Sequence, residues 1–121
     1  MTWVLVVDDD LYMRRLVERA LRDDGLDVRS AANGSEALGS IDGEQPGVIV
    51  LDLIMPVMDG RTFFREARNA GGTSPVLILA ATGGRKAAAE LSADGFLGKP
   101  FDPIRLCAAV RELLPSSPNG A

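Results

Sequence analysis

Three segments of the chain are apolar without interruption: WVLVV at 3–7, VIVL at 48–51 and VLIL at 76–79. Each is too short for a helix and continuous rather than alternating, which is how strands buried on both faces read. Weaker strand candidates are LDVRSA at 26–31 and GFLG at 95–98. Between these runs the period changes. Met13, Leu16, Val17, Ala20 and Leu21 share one face at helical spacing, with Asp10 placed to cap them. Asn33 with Glu36 predicts a capping box for a second helix carrying Ala37, Leu38 and Ile41 inward. Asp59 caps a third with Phe63, Phe64 and Ala67 inward, and Arg85 to Leu91 make a short fourth. Asp102 followed by Pro103 opens the last, whose inner face is Leu106, Cys107, Val110, Leu113 and Leu114. Strand and helix alternate five times, so the expected architecture is α/β: a five-stranded parallel sheet, doubly wound, with helices on both faces and right-handed crossovers.

Composition narrows the choice of function. With 121 residues, 46% hydrophobic and 25% charged, the chain has room for one domain. We place it at 1–114, with 115–121 (PSSPNGA) as a flexible tail or the start of a linker. A single cysteine suggests a reducing compartment, and no stretch approaches the ~20 apolar residues of a membrane span. A cytoplasmic location is therefore expected. Thirteen Lys and Arg are scattered among seventeen Asp and Glu, for a net charge of -4, so direct nucleic-acid binding is not expected. There is no histidine, which removes Ser-His-Asp triads, His-ligated metals and a phosphohistidine on this chain.

The remaining chemistry sits at strand ends. Asp8 and Asp9 close the first strand, Asp52 the third, and Lys99 follows the fifth. Open parallel sheets bind ligands beyond the carboxyl ends of their strands, where strand order reverses. In the common doubly wound order, 2-1-3-4-5, the first and third strands are neighbours and the three carboxylates converge. Such a cluster needs a counter-charge. Mg²⁺ would supply it, since it prefers oxygen ligands, takes one or two carboxylates and keeps other positions for water or phosphate oxygens. A metal, a lysine and a spare carboxylate make a site for phosphoryl transfer, with Asp52 as the nucleophile. Each residue alone has a plainer reading: Asp10 as a helix cap, Asp52 as the start of an Asx turn, Lys99 as a solvated amine. Their joint occurrence at strand ends favours a site.

The segments VLVVDDD, VIVLDLIMPVMDG, PVLILAA and GFLGKPF, in that order over residues 3–114, resemble the receiver domain of bacterial response regulators, in its single-domain, chemotaxis-regulator-like form. The resemblance implies a flavodoxin-like fold in which Asp52 takes a phosphoryl group from a phosphohistidine of a sensor histidine kinase or phosphotransfer protein. It implies Mg²⁺ held by Asp9, by Asp8 mainly through water, by Asp52 and by the backbone carbonyl of Ile54. Lys99 would contact the phosphoryl oxygens, and the peptide before Pro100 would be cis, an isomer open to X-Pro bonds. The sequence also departs from the family's pattern. Ala80 stands where a Thr or Ser usually carries the switch hydroxyl, and Thr82 is the nearest hydroxyl. The stretch from Ala80 to Lys99 is shorter than usual, and Phe96 keeps a ring where a switch aromatic is expected but lacks the phenol. Loss of one hydrogen bond to a charged group would take about 1.5–3 kcal/mol from the preference for the on-state.

The reading is thus a phosphoacceptor module without an output domain of its own, signalling through contacts with a downstream protein target; its oligomeric state is left open. The alternative is a pseudo-receiver, a phosphorylation-independent interaction module, which Ala80 favours and the intact Asp8, Asp9, Asp52 and Lys99 set disfavours. An aspartyl-phosphate phosphatase would want an acid two residues after Asp52, where Ile54 stands. ATGGRKAA lacks the spacing of a phosphate-binding loop.

Overall fold

The computed structural model describes residues 2–53, 59–80 and 84–115. Its strands are β1 (Val4–Val7), β2 (Val28–Ala31), β3 (Val48–Asp52), β4 (Val76–Ala80) and β5 (Gly95–Gly98); its helices are α1 (Leu11–Asp23), α2 (Gly34–Ser40), α3 (Gly60–Asn69), α4 (Gly84–Glu90) and α5 (Pro103–Leu113). All neighbouring strands are parallel, in the order β2-β1-β3-β4-β5. The expected order is therefore observed.

The unbroken apolar runs are explained by two cores, one on each face. Leu5, Val7, Ile49, Leu51, Val76 and Ile78 point to the side covered by α2, α3 and α4, where they meet Ala37, Phe63, Phe64, Ala67, Ala87 and Ala88. Val4, Val6, Val48, Val50, Leu77 and Leu79 point to the side of α1 and α5 and meet Val17, Leu21, Leu106 and Val110. Alternate residues of one strand thus serve opposite cores, and none of these buried positions can be polar without leaving a buried group unpaired.

The helix caps form where the side chains predicted them. Asp10 accepts from the Tyr12 and Met13 amides, Asp59 from that of Thr62, and Asp102 from that of Ile104. Asn33 accepts from the Glu36 amide at 2.9 Å, but the returning Glu36 carboxylate takes the Ala32 amide, one residue earlier than in a capping box. One expectation for the inner face of α1 fails. Leu16 is 40% exposed, because Val17 and Leu21 carry the contact with the sheet and the face is narrower than the periodicity implied. Trp3 is 2% exposed at the opposite end of β1 from Asp8, so its fluorescence is poorly placed to report on the acids.

Candidate functional site

Register builds the site. Val7 of β1 lies opposite Leu51 of β3, so Asp8 and Asp52, the next residues of each, emerge side by side at the same rim. The Asp8 amide is held by the Ala31 carbonyl at 3.1 Å. One oxygen from each of Asp8, Asp9 and Asp52 lies within 4.8 Å of the other two. Lys99 reaches the rim from the far side, because its amide donates to the Ala80 carbonyl at 2.9 Å and so continues the pairing of β5 with β4. Its Nζ lies 3.7 Å from Asp8 Oδ2 and 3.7 Å from Asp52 Oδ1. The Lys99–Pro100 peptide is cis, as the family resemblance implied.

The three acids stand in different environments. The Asp8 side chain is only 3% exposed, against 12% for Asp52, and residue Asp9 is open to solvent. Burial pushes the Asp8 carboxyl above the ordinary value of 3.8; the Asp10 amide and the Lys99 ammonium work against that rise, and the Asp9 and Asp10 carboxylates add to it. Its Oδ1 accepts from the Asp10 amide at 3.0 Å. A second contact was not foreseen from the sequence: Arg14, one turn into α1, donates to the Asp8 carbonyl at 2.9 Å and anchors the backbone that carries both Asp8 and Asp9.

Gly60 follows the Asp59 cap, and its position shows why glycine is needed there. Its amide donates to the Leu53 carbonyl at 2.7 Å, and a Cβ built on it would lie 2.5 Å from the Asp52 carbonyl oxygen and 2.6 Å from Leu53 Cα. Only glycine lets the start of α3 pass behind Asp52, so the Asp-Gly pair at 59–60 joins a cap to a close backbone approach. Ile54 and Thr82 lie outside the described residues. Ala80 ends β4 and Phe96 lies in β5, both packed at the edge of the core beneath α2–α4.

The strand order and the helices on both faces are those of the flavodoxin-like α/β class to which CheY belongs. More particularly, a family model described as the response regulator receiver domain matches residues 4–111. The chain belongs to that family, the receiver modules of two-component systems. Among relatives, "Probable transcriptional regulator ycf27" of Porphyridium aerugineum is 40% identical over 114 residues, 92% of this chain and 47% of that protein. "Response regulator MprA" of Mycolicibacterium vanbaalenii is 40% identical over 114 residues, 92% of this chain and 49% of that protein. The chain spans about half the length of the curated relatives it matches. Of solved structures, chemotaxis protein CheY4 of Vibrio cholerae matches with a TM-score of 0.84 at 34% identity, covering 94% of this chain and 99% of that one. The receiver domain of NtrX from Brucella abortus matches with a TM-score of 0.86 at 29% identity, covering 94% and 99%. Among the described residues no helix is long and apolar enough to cross a membrane.

Proposed function

We propose that Asp52 accepts a phosphoryl group from a phosphohistidine on a partner kinase or phosphotransfer protein, and that the modified domain signals by contacts with a downstream protein. The observation that carries this is the meeting of Asp8, Asp9 and Asp52 within 4.8 Å of one another, with Lys99 Nζ 3.7 Å from two of them. In the transfer an Asp52 carboxylate oxygen attacks phosphorus, the P–N bond breaks, and the imidazole leaves with the electron pair. Lys99 stands where it can neutralise phosphoryl oxygens as charge redistributes among them. Arg14 and Gly60 are positioning residues that hold the backbones on which the acids stand.

The donor set fits Mg²⁺. Its atoms are hard carboxylate oxygens, and 4.8 Å is near the widest span across such an ion, about 4.2 Å for bonds of 2.0–2.1 Å, so small side-chain rotations suffice. Asp9 and Asp52 would hold it, with Asp8 acting mainly through water and the Ile54 carbonyl as a further ligand. When bound, the ion supplies charge neutralisation between the carboxylates and the incoming phosphoryl group.

Exposed hydrophobic side chains support a protein as the donor. Leu11, Tyr12, Leu16 and Ile104 are 50%, 76%, 40% and 77% exposed. They lie on α1 and at the start of α5, elements that leave the rim just after Asp8 and Lys99. A partner delivering a phosphorylated side chain to Asp52 would cover them, and Arg15 and Arg19 flank the patch.

Incubation with Mg²⁺ and a small phosphodonor is expected to give an acid-stable, hydroxylamine-labile adduct that Asp52→Asn abolishes. An adduct persisting in that variant would refute the assignment.

A further inference from the structure

The end of β4 is covered by the start of α4 at unusually short range. Ala80 lies opposite Gly98 in the sheet, and Ile78 opposite Phe96. Gly84, the first residue of α4, is buried, and a Cβ built on it would lie 2.2 Å from the Ala80 Cβ and 3.0 Å from Phe96 Cε1. Non-bonded carbons rest at about 3.5–4.0 Å, so this contact exists only because residue 84 has no side chain. On the outside, the Arg85 guanidinium carbon sits 5.0 Å from the centre of the Phe96 ring, within cation–π range. Further along α4 the buried residues are Ala87 and Ala88, again small enough to bring the helix close to the sheet.

The seat of α4 above the Ala80 methyl therefore depends on residue 84 lacking a Cβ. A threonine at 80 would have to turn both of its branches away from the helix. We infer that Ala80 and Gly84 form a size-matched clamp, closed by the Phe96 ring and the Arg85 guanidinium, which holds the α4–β5 surface in one arrangement whether or not the acid site carries a phosphoryl group. Its indifference to phosphorylation rests on the proposed function; the clamp itself is a packing contact. A receiver built this way presents its α4–β5 face constantly and reports phosphorylation at the rim that carries the acids.

Hydrogen exchange read by mass spectrometry on the full chain tests this, with and without Mg²⁺ and acetyl phosphate, the intact mass of each sample recording the adduct. Gly84→Ala is expected to speed exchange over residues 84–98 by about tenfold or more, as overpacking releases the helix. Alanine's higher helix propensity alone would slow it. Adding Ala80→Gly makes room for the new methyl and restores protection to within about threefold of the unmodified chain. Exchange over 84–98 in the unmodified chain stays the same when the adduct forms. Exchange in Gly84→Ala as slow as in the parent, failure of Ala80→Gly to rescue it, or a change over 84–98 on adduct formation overturns the clamp. If Gly84→Ala does not fold, the double variant still decides, since the clamp requires that it fold. If no adduct forms, the proposed function fails and the two variants alone judge the clamp.

Discussion

Asp8→Asn should stabilise the metal-free domain. The Asp8 carboxylate is attracted by Lys99 Nζ 3.7 Å away, worth about 4.5 kcal/mol at an effective dielectric constant of ~20. It is repelled by two carboxylates whose oxygens lie within 4.8 Å, each costing about 3.5 kcal/mol on the same scale. Solvent screening at the exposed Asp9 brings repulsion and attraction near balance, so desolvation of a side chain only 3% exposed decides the sign, at roughly 2 kcal/mol. Asparagine keeps the shape and an oxygen for the Asp10 amide, which now donates to Asp8 Oδ1 at 3.0 Å. With an unfolding entropy of ~2.1 cal/mol/K per residue, about 2 kcal/mol is a rise in Tm of about 8 °C near neutral pH without divalent cations. The gain has a definite pH dependence. Burial raises the folded-state carboxyl above its ordinary value of 3.8, so the folded domain holds this proton more tightly than the unfolded chain does. Below that value both states are protonated and the cost of ionising Asp8 is absent; it grows as pH rises toward the folded-state pKa and is constant above it. The advantage of the variant in thermal melts should accordingly shrink toward about pH 3. A variant no more stable than its parent at neutral pH, or one whose advantage survives undiminished in acid, would show that the cluster is not electrostatically strained.

Mg²⁺ should raise the Tm of the unmodified domain, by an amount equivalent to about 2.7 kcal/mol at one hundred times its Kd, and Asp9→Asn or Asp52→Asn should remove most of that response in calorimetry. Gly60→Ala drives a methyl into the Asp52 carbonyl oxygen and Leu53 Cα, at 2.5 and 2.6 Å. It should cost about 1–3 kcal/mol in chemical denaturation and depress labelling of Asp52 by a small phosphodonor. Replacing Tyr12 and Ile104 by alanine should slow transfer from a phosphorylated kinase about tenfold or more while labelling by acetyl phosphate continues. Equal loss with both donors would place the defect in the acid site rather than in docking.

The three central strands were legible because strands buried on both faces admit no polar residue in their interior, so their edges in the sequence are sharp: Val48 to Asp52 passes from core to carboxylate within one residue. The acids were legible because a parallel fold sends every strand's carboxyl end to one rim, and their neighbourhood follows from strand order alone. What the sequence hid depends on distances between segments. Leu16 keeps the helical period, yet it lies on the outer flank of α1 and is 40% exposed. Gly60 and Gly84 look like turn glycines, and only the approach of α3 to Asp52 and of α4 to Ala80 shows why neither can carry a Cβ. Arg14 resembles any other arginine of a charged helix until its guanidinium is found on the Asp8 carbonyl. The absence of a hydroxyl at position 80 was plain, but that a backbone presses on the alanine methyl was not.

Asp52 is proposed as the phosphoryl acceptor within a divalent-cation site. Tandem mass spectrometry of the peptide spanning Asp52, after brief exposure to acetyl phosphate with Mg²⁺ or with a chelator, tests it most directly. A phosphoryl group is expected on Asp52 that forms with Mg²⁺, is nearly absent with the chelator, and disappears in Lys99→Ala or forms far more slowly. Phosphate on another residue, or equal labelling of Asp52 with and without the cation, would contradict it.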